Sequence, residues 1–181
     1  MNTRHLSYEL HRHQLDNGLR VVVSPDPWVP VVAVNLWYDV GSAHESPGRT
    51  GFAHLFEHLM FAGAADVGPG EHLGALQALG GEVNATTSFD RTNYFETVPA
   101  GAAELALWYE AQRLGSLLEA VDQTVLDTER EVVKEEKRQR YDNVPYGDVM
   151  ELILGQVFPE GHPYRHTVIG SMDDLNAAGV E

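Results

Sequence analysis

The sequence predicts an α+β fold, a two-layer sandwich in which a mostly antiparallel sheet carries helices packed on one face. Three observations predict it. β-branched and aromatic runs fill the first forty or so residues, a three- and four-residue apolar period starts at Thr50, and strand-like text returns at Val83 to Val98 before helical patterns take most of the rest. Strands and helices gathered in separate blocks are the mark of segregated layers rather than of repeating βαβ units.

The elements follow in chain order. Leu19 to Val23 is an apolar run after Asp16-Asn17-Gly18, a turn that tolerates positive φ, so a hairpin is expected near Asn17. Pro30 to Tyr38 is a second run, closed by Val40-Gly41-Ser42, and the two together predict an antiparallel sheet. His5, His11 and His13 alternate with other residues and fit the exposed face of a strand.

From Thr50 to Phe61 the residues Phe52, Leu55, Phe56, Leu59 and Met60 recur at helical spacing before Gly63. Gly63 to Gly74 reads as loop, and Leu73 to Leu79 as a short helix stopped by Gly80-Gly81. Asn84 to Phe89 and Thr92 to Phe95 read as two strands with a bend at Asp90-Arg91. Ala102 to Leu118 is helical by propensity, with Leu105, Trp108, Ala111 and Leu118 expected on its inner face. Phe52, Phe56, Met60 and Trp108 are assigned to the core.

Asp122 is the expected N-cap of a long charged helix that ends near Tyr141, before Asn143 and Pro145. Tyr146 to Phe158 is a further amphipathic helix. His162 and His166 fall in loop, and Asp173-Asp174 in an acidic turn.

Composition narrows the function. The chain has 181 residues, 43% hydrophobic, enough for one well-cored domain. No apolar run is long enough to span a bilayer, and the opening residues lack a secretory core, so a soluble cytoplasmic protein without membrane partners is expected. Twenty-seven Asp and Glu against twelve Lys and Arg give a formal charge of −15, which argues against a nucleic-acid partner. With no cysteine in the chain, disulfides, thiolate metal sites and cysteine nucleophiles are excluded, and His, Asp and Glu remain as ligands for a transition metal.

His54-Leu55-Phe56-Glu57-His58 supplies such ligands. Two histidines four apart on a helix lie one turn apart on one face and can close on one metal ion. Glu57 sits about 60° from His54 and about 100° from His58 around the axis, placed to face a metal-bound water without ligating the ion. Catalytic zinc ordinarily takes three protein ligands, so a third is required. The charged helix offers Glu129 and Glu136, seven residues apart and sharing a face with Val132 and Val133. An inward carboxylate needs a positive partner. The helical wheel does not choose between the two.

His54 to His58 lies within a stretch running from Gly41-Ser42-Ala43-His44-Glu45 to Met60-Phe61-Ala62-Gly63. With Asn84-Ala85-Thr86-Thr87-Ser88, Glu129 to Glu136 and His162-Pro163-Tyr164, it resembles the pitrilysin, or insulinase, zinc peptidases, whose inverted motif is His-x-x-Glu-His. The resemblance covers nearly the whole chain. It implies one zinc ion held by His54, His58 and Glu136, with Glu57 as general base and Glu129 supporting the site. It also implies that Asn84, Ala85, Thr86, Thr87 and Ser88 form an edge strand that pairs with an extended peptide, Asn84 and Ala85 offering backbone groups. The implied activity is that of a zinc metalloendopeptidase acting on peptides or small unfolded proteins.

Members resembling this sequence are longer and have a second related domain. The chain is therefore expected to be a single N-terminal catalytic domain, residues 1–181, truncated at its C-terminal end, with a second homologous domain or chain as its partner in a homo- or hetero-dimer. The rival within the family is a noncatalytic or partner-dependent scaffold subunit. A lyase with the same metal motif, acting on S-ribosylhomocysteine, would need the cysteine this chain lacks.

Overall fold

The computed structural model describes residues 8–180. His5 and the chain's opening residues lie outside them. The described residues divide into two compact units with the boundary after Val31.

The first unit is a hairpin. β1 (His11–Gln14) and β2 (Arg20–Val23) pair antiparallel with His11 opposite Val23 and Gln14 opposite Arg20. The turn closes because Gly18 adopts φ 90, a left-handed value that glycine reaches without strain, and because Asn17 Oδ1 accepts the Leu19 N–H at 3.1 Å. His11 and His13 are exposed, as the alternation predicts.

In the second unit β3 (Val31–Tyr38), β4 (Glu82–Thr87) and β5 (Thr92–Pro99) form a three-stranded sheet in the order β3-β5-β4. This corrects one expectation, since β3 lies in this sheet and not in that of β1 and β2. β4 and β5 are antiparallel, Glu82 opposite Thr97 and Thr87 opposite Thr92. β5 is central, so among the described residues β4 has a free edge.

Side chains alternate across the sheet. Ala85, Tyr94 and Val98 point to one face and are buried, whereas Glu82, Asn84 and Thr86 point to the other and are exposed. Among the described residues helices cover the first face. α2 (Glu71–Ala78) and α3 (Ala103–Ser116) bury Leu76, Ala106 and Tyr109 against Val98.

α1 (Phe52–Leu59) and α4 (Gln123–Lys137) form a second buried cluster with α6 (Met172–Asn176): Leu55, Leu59, Leu126, Val133, Ile169 and Leu175. Asp122 caps α4 as expected, its carboxylate accepting the Val125 N–H at 2.8 Å. α5 (Val149–Val157) completes the helices. Among the described residues no helix is long and apolar enough to cross a membrane.

Several inward assignments are corrected. On α3 the inner face is Ala106, Tyr109, Glu110 and Arg113, whereas Trp108 is 40% and Leu118 75% exposed. Phe56 is 47% exposed although apolar. Of the adjacent valines of α4 only Val133 faces in, beside Leu126, and Val132 is 46% exposed, because consecutive helical residues diverge by about 100°. Asp173-Asp174, read as a turn, opens α6, whose first turn Ser171 caps.

Candidate metal centre

The seam between α1 and α4 sets the distance between the two groups of sequence-predicted ligands. Leu55 and Leu59 of α1 pack with Leu126 and Val133 of α4. His54 and His58 lie on the α4 side of α1 with their rings 4.9 Å apart, edge to face. Both Nε2 atoms converge on one oxygen of Glu136. His54 Nε2 is 3.6 Å and His58 Nε2 3.3 Å from Oε2.

That spacing tests whether the donors suit zinc. Zinc bonds of about 2.0–2.1 Å to imidazole and carboxylate set the edge of a tetrahedron around the ion at about 3.3 Å. The two nitrogen-to-oxygen separations lie within about 0.3 Å of such an edge, the three donor atoms all lie within 4.8 Å of one another, and a set of two nitrogens and one oxygen leaves the fourth position for water.

Glu57 stands beside this group. Thr87 Oγ1 of β4 donates a hydrogen bond to Glu57 Oε2, which ties the end of the free-edged strand to α1. Glu129 lies one shell out, with Oε2 3.5 Å from His58 Nδ1. Arg140, on the π-helical turn Arg138–Asp142 that continues α4, places Nη1 2.6 Å from Glu136 Oε1, the oxygen turned away from the histidines.

The environment separates the two histidines. Burial lowers the His54 pKa to about 4 despite the attraction of Glu136. Burial also opposes the charged form of His58, but hydrogen bonds to Glu129 and Glu136 outweigh it and push that pKa up to about 9. Glu136 is lowered, first by its bond from His58. The protein alone thus keeps one neutral imidazole, one imidazolium and a carboxylate at the point of convergence. Burial raises Glu57 above the usual carboxylate range, against the Thr87 hydrogen bond. A carboxylate shifted that way holds a proton more readily than an exposed one, as proton transfer at a positioned base requires.

The predicted substrate strand is brought only partly to the edge. Asn84 to Thr87 belong to β4, and Ser88 lies one residue beyond it. The Ala85 N–H is covered by the Asn84 side chain, whose Oδ1 accepts it at 2.8 Å. Ser88 has both backbone groups engaged: its N–H goes to the Arg91 carbonyl at 2.8 Å, and its carbonyl accepts the Ser42 N–H at 3.1 Å. Gly41 permits that approach, because a Cβ there would run into the Ser88 and Phe89 carbonyls.

A second polar group, not foreseen from the sequence, lies buried between α2, α3 and β5. His72 Nε2 is 3.0 Å from Glu96 Oε2, and Arg113 grips both oxygens of Glu110, Nε lying 3.2 Å from Oε2. His72, Glu96 and Glu110 bring their donor atoms within 4.8 Å of one another. The guanidinium already occupies Glu110 bidentately, so this cluster holds its own cation and reads as a core charge network. Glu110 and Arg113, three apart on α3 and in phase with Ala106 and Tyr109, were the available signal.

Comparison with known proteins agrees with this architecture. The family described as insulinase, peptidase family M16, matches residues 20–159. Zinc protease PqqE of Helicobacter pylori is 37% identical over 175 residues, covering 94% of this chain and 39% of that protein. Zinc protease YmxG of Bacillus subtilis is 30% identical, covering 92% and 40%. The chain therefore spans about two fifths of these relatives' length. A crystal structure of a protease from Helicobacter pylori superposes with a TM-score of 0.88 at 35% identity, over 96% of this chain and 41% of that one. Pitrilysin shares the fold, with a TM-score of 0.82 at 24% identity over 97% of this chain and 18% of its own. With its α+β architecture, its inverted His-x-x-Glu-His helix and these relatives, the chain belongs to the insulinase family of peptidases, family M16.

Proposed function

We propose that this chain carries the metal and the proton-transfer base of a zinc-dependent endopeptidase acting on extended peptides or small unfolded proteins. The observation that carries the reading is the convergence of His54 Nε2 and His58 Nε2 on Glu136 Oε2 at tetrahedral spacing, with Glu57 alongside. The names of the relatives, zinc proteases, support the choice of metal.

His54, His58 and Glu136 would hold one zinc ion, which when bound acidifies a water and polarises the scissile carbonyl. Glu57 takes the proton of the attacking water and delivers it to the leaving amine. The Thr87 hydroxyl holds Glu57 at its Oε2, so the base and the end of the substrate strand keep one register. Glu129 orients the His58 ring from behind. The free edge of β4, Asn84 to Thr87, receives the peptide as an added strand once the Asn84 side chain releases the Ala85 N–H. A hollow of about 330 Å³ lined by Gln77, Gly81, Val83, Asn84, Phe95 and Thr97 gives room for side chains of that peptide.

Because the chain spans about two fifths of its relatives, a second homologous domain or chain belongs to the proposal as the partner that closes over the peptide. The cytoplasmic location expected from the sequence belongs to it as well, to be checked by cell fractionation. The deciding experiment is metal analysis and cleavage of an unstructured peptide library by wild type and Glu57→Gln. Both should contain one zinc per chain, and only wild type should hydrolyse. A metal-free wild type or equal hydrolysis by the variant refutes the assignment, while zinc without hydrolysis in wild type assigns the chain to the partner-dependent reading.

A further inference from the structure

We propose that Glu45 is a positioning residue of the metal centre, fixing the first turn of α1 and through it the direction of His54. The inference rests on the metal-centre reading above. It begins from an asymmetry between the two histidines. His58 has a carboxylate behind its outer nitrogen, Glu129 Oε2 at 3.5 Å from Nδ1. The outer nitrogen of His54, Nδ1, is buried and without a hydrogen-bond partner among the described residues. Ligating histidines ordinarily use that second nitrogen to fix the ring. His54 cannot, so its ring takes its direction from the backbone that carries it.

That backbone is held from outside the helix. The N-cap of α1 is Gly51, whose φ of 88 reverses the chain and which has no side chain to cap the N–H groups that follow. Glu45 supplies the cap from six residues upstream. Its Oε2 accepts the Gly51 N–H at 2.9 Å and its Oε1 accepts the Ala53 N–H at 2.7 Å, one residue before His54. Two oxygens on two amides of one turn fix its rotation as well as its height, and the negative charge complements the helix dipole. The Glu45 side chain is 5% exposed, and His166 Nδ1 lies 3.7 Å from its Oε2.

A separate clamp holds the entry to the helix. Thr50 donates its N–H and its hydroxyl to Asp174 Oδ2 at 2.9 and 2.6 Å, and its Oγ1 accepts the Ser171 N–H at 3.0 Å. Loss of Glu45 therefore leaves α1 docked while freeing its first turn to rotate, and the ligand that moves is His54.

The test compares the full chain as wild type, Glu45→Gln and Glu45→Asp by zinc titration against a competing chelator, by the visible bands of bound Co²⁺ and by far-UV circular dichroism. Gln leaves one acceptor and turns an N–H donor on a backbone donor. Asp keeps both oxygens on a stem too short for both amides. Both variants should retain the wild-type dichroism, bind zinc about tenfold or more weakly, and show altered Co²⁺ bands, Gln more than Asp. The bands separate a displaced ligand from a general loss of stability. Wild-type zinc affinity with unchanged bands in either folded variant overturns the role of Glu45, and so does unfolding of both. If Gln alone unfolds, Asp decides on the same readouts. A wild type that takes up no zinc overturns the metal-centre reading itself.

Discussion

Replacing Arg113 by Met should destabilise the chain by about 3–5 kcal/mol, the cost of removing one partner of a buried ion pair. The structure places the guanidinium where nothing can substitute for it. Arg113 is 3% exposed, grips both oxygens of Glu110, and sits 4.3 Å from the Tyr94 ring centroid and 5.1 Å from that of Phe61. Met fills much of the same volume, so the loss measures the charge left behind on Glu110 rather than a cavity. Glu110 is already raised above the usual range by burial, with Arg113 opposing that rise. Without Arg113 the pKa climbs further, and an acid whose folded pKa is raised gains stability as pH falls towards it.

The deficit should therefore be largest near pH 8 and shrink near pH 5, and Glu110→Gln added to Arg113→Met should recover most of it. Urea unfolding of wild type and variants, read as the difference in unfolding free energy at each pH, is the assay. A deficit under about 1 kcal/mol at pH 8, or one that does not shrink at pH 5, refutes the reading of this cluster as a charge network that needs its arginine.

Three further outcomes concern the metal centre. In protein stripped of metal by a chelator, the proton on His58, with its pKa near 9, competes with zinc, while His54, near 4, carries none at neutral pH. Zinc uptake at pH 7 should release about one proton, and affinity should rise about tenfold per pH unit towards pH 9 and then level, as competition with a single proton requires; flat affinity contradicts it. Glu129→Gln should weaken zinc binding by roughly 10-fold or more through the His58 ring, measured by chelator competition. Thr87→Val removes the hydroxyl that holds Glu57 and should lower peptide hydrolysis by about tenfold at unchanged zinc content, in proportion to a hydrogen bond to a charged group.

Most elements were legible because each has a strong local cause. Asn17-Gly18 forces a turn, the period of Phe52 to Leu59 forces a helix, and Asp122 caps α4. What escaped depended on distant partners. β3 resembles β2 in composition, and only pairing with β5 decides its sheet. Trp108 has the right spacing for a core but yields the inner face of α3 to Glu110 and Arg113, which are buried as a pair beside His72 of α2 and Glu96 of β5. Glu45 has no local signal, since the N-cap of the helix it caps lies six residues later.

The two carboxylates of α4 were legible for a reason that lies in the core rather than in the site. Val133 is fully buried against α1, and residues four before and three after it must share its face. Those residues are Glu129 and Glu136. On α1 the corresponding anchors are Leu55 and Leu59, each following a histidine by one position, so the rings emerge at the rim of the same seam. The apolar contact between α1 and α4 thus fixes a spacing of 3.3 to 3.6 Å between groups 78 to 82 positions apart in sequence. The zinc ion proposed for this site would add a bond where packing has already brought the donors together. In this chain the spacing of the proposed ligands follows from the hydrophobic seam, with Glu129 and Arg140 in contact with His58 and Glu136 at its rim.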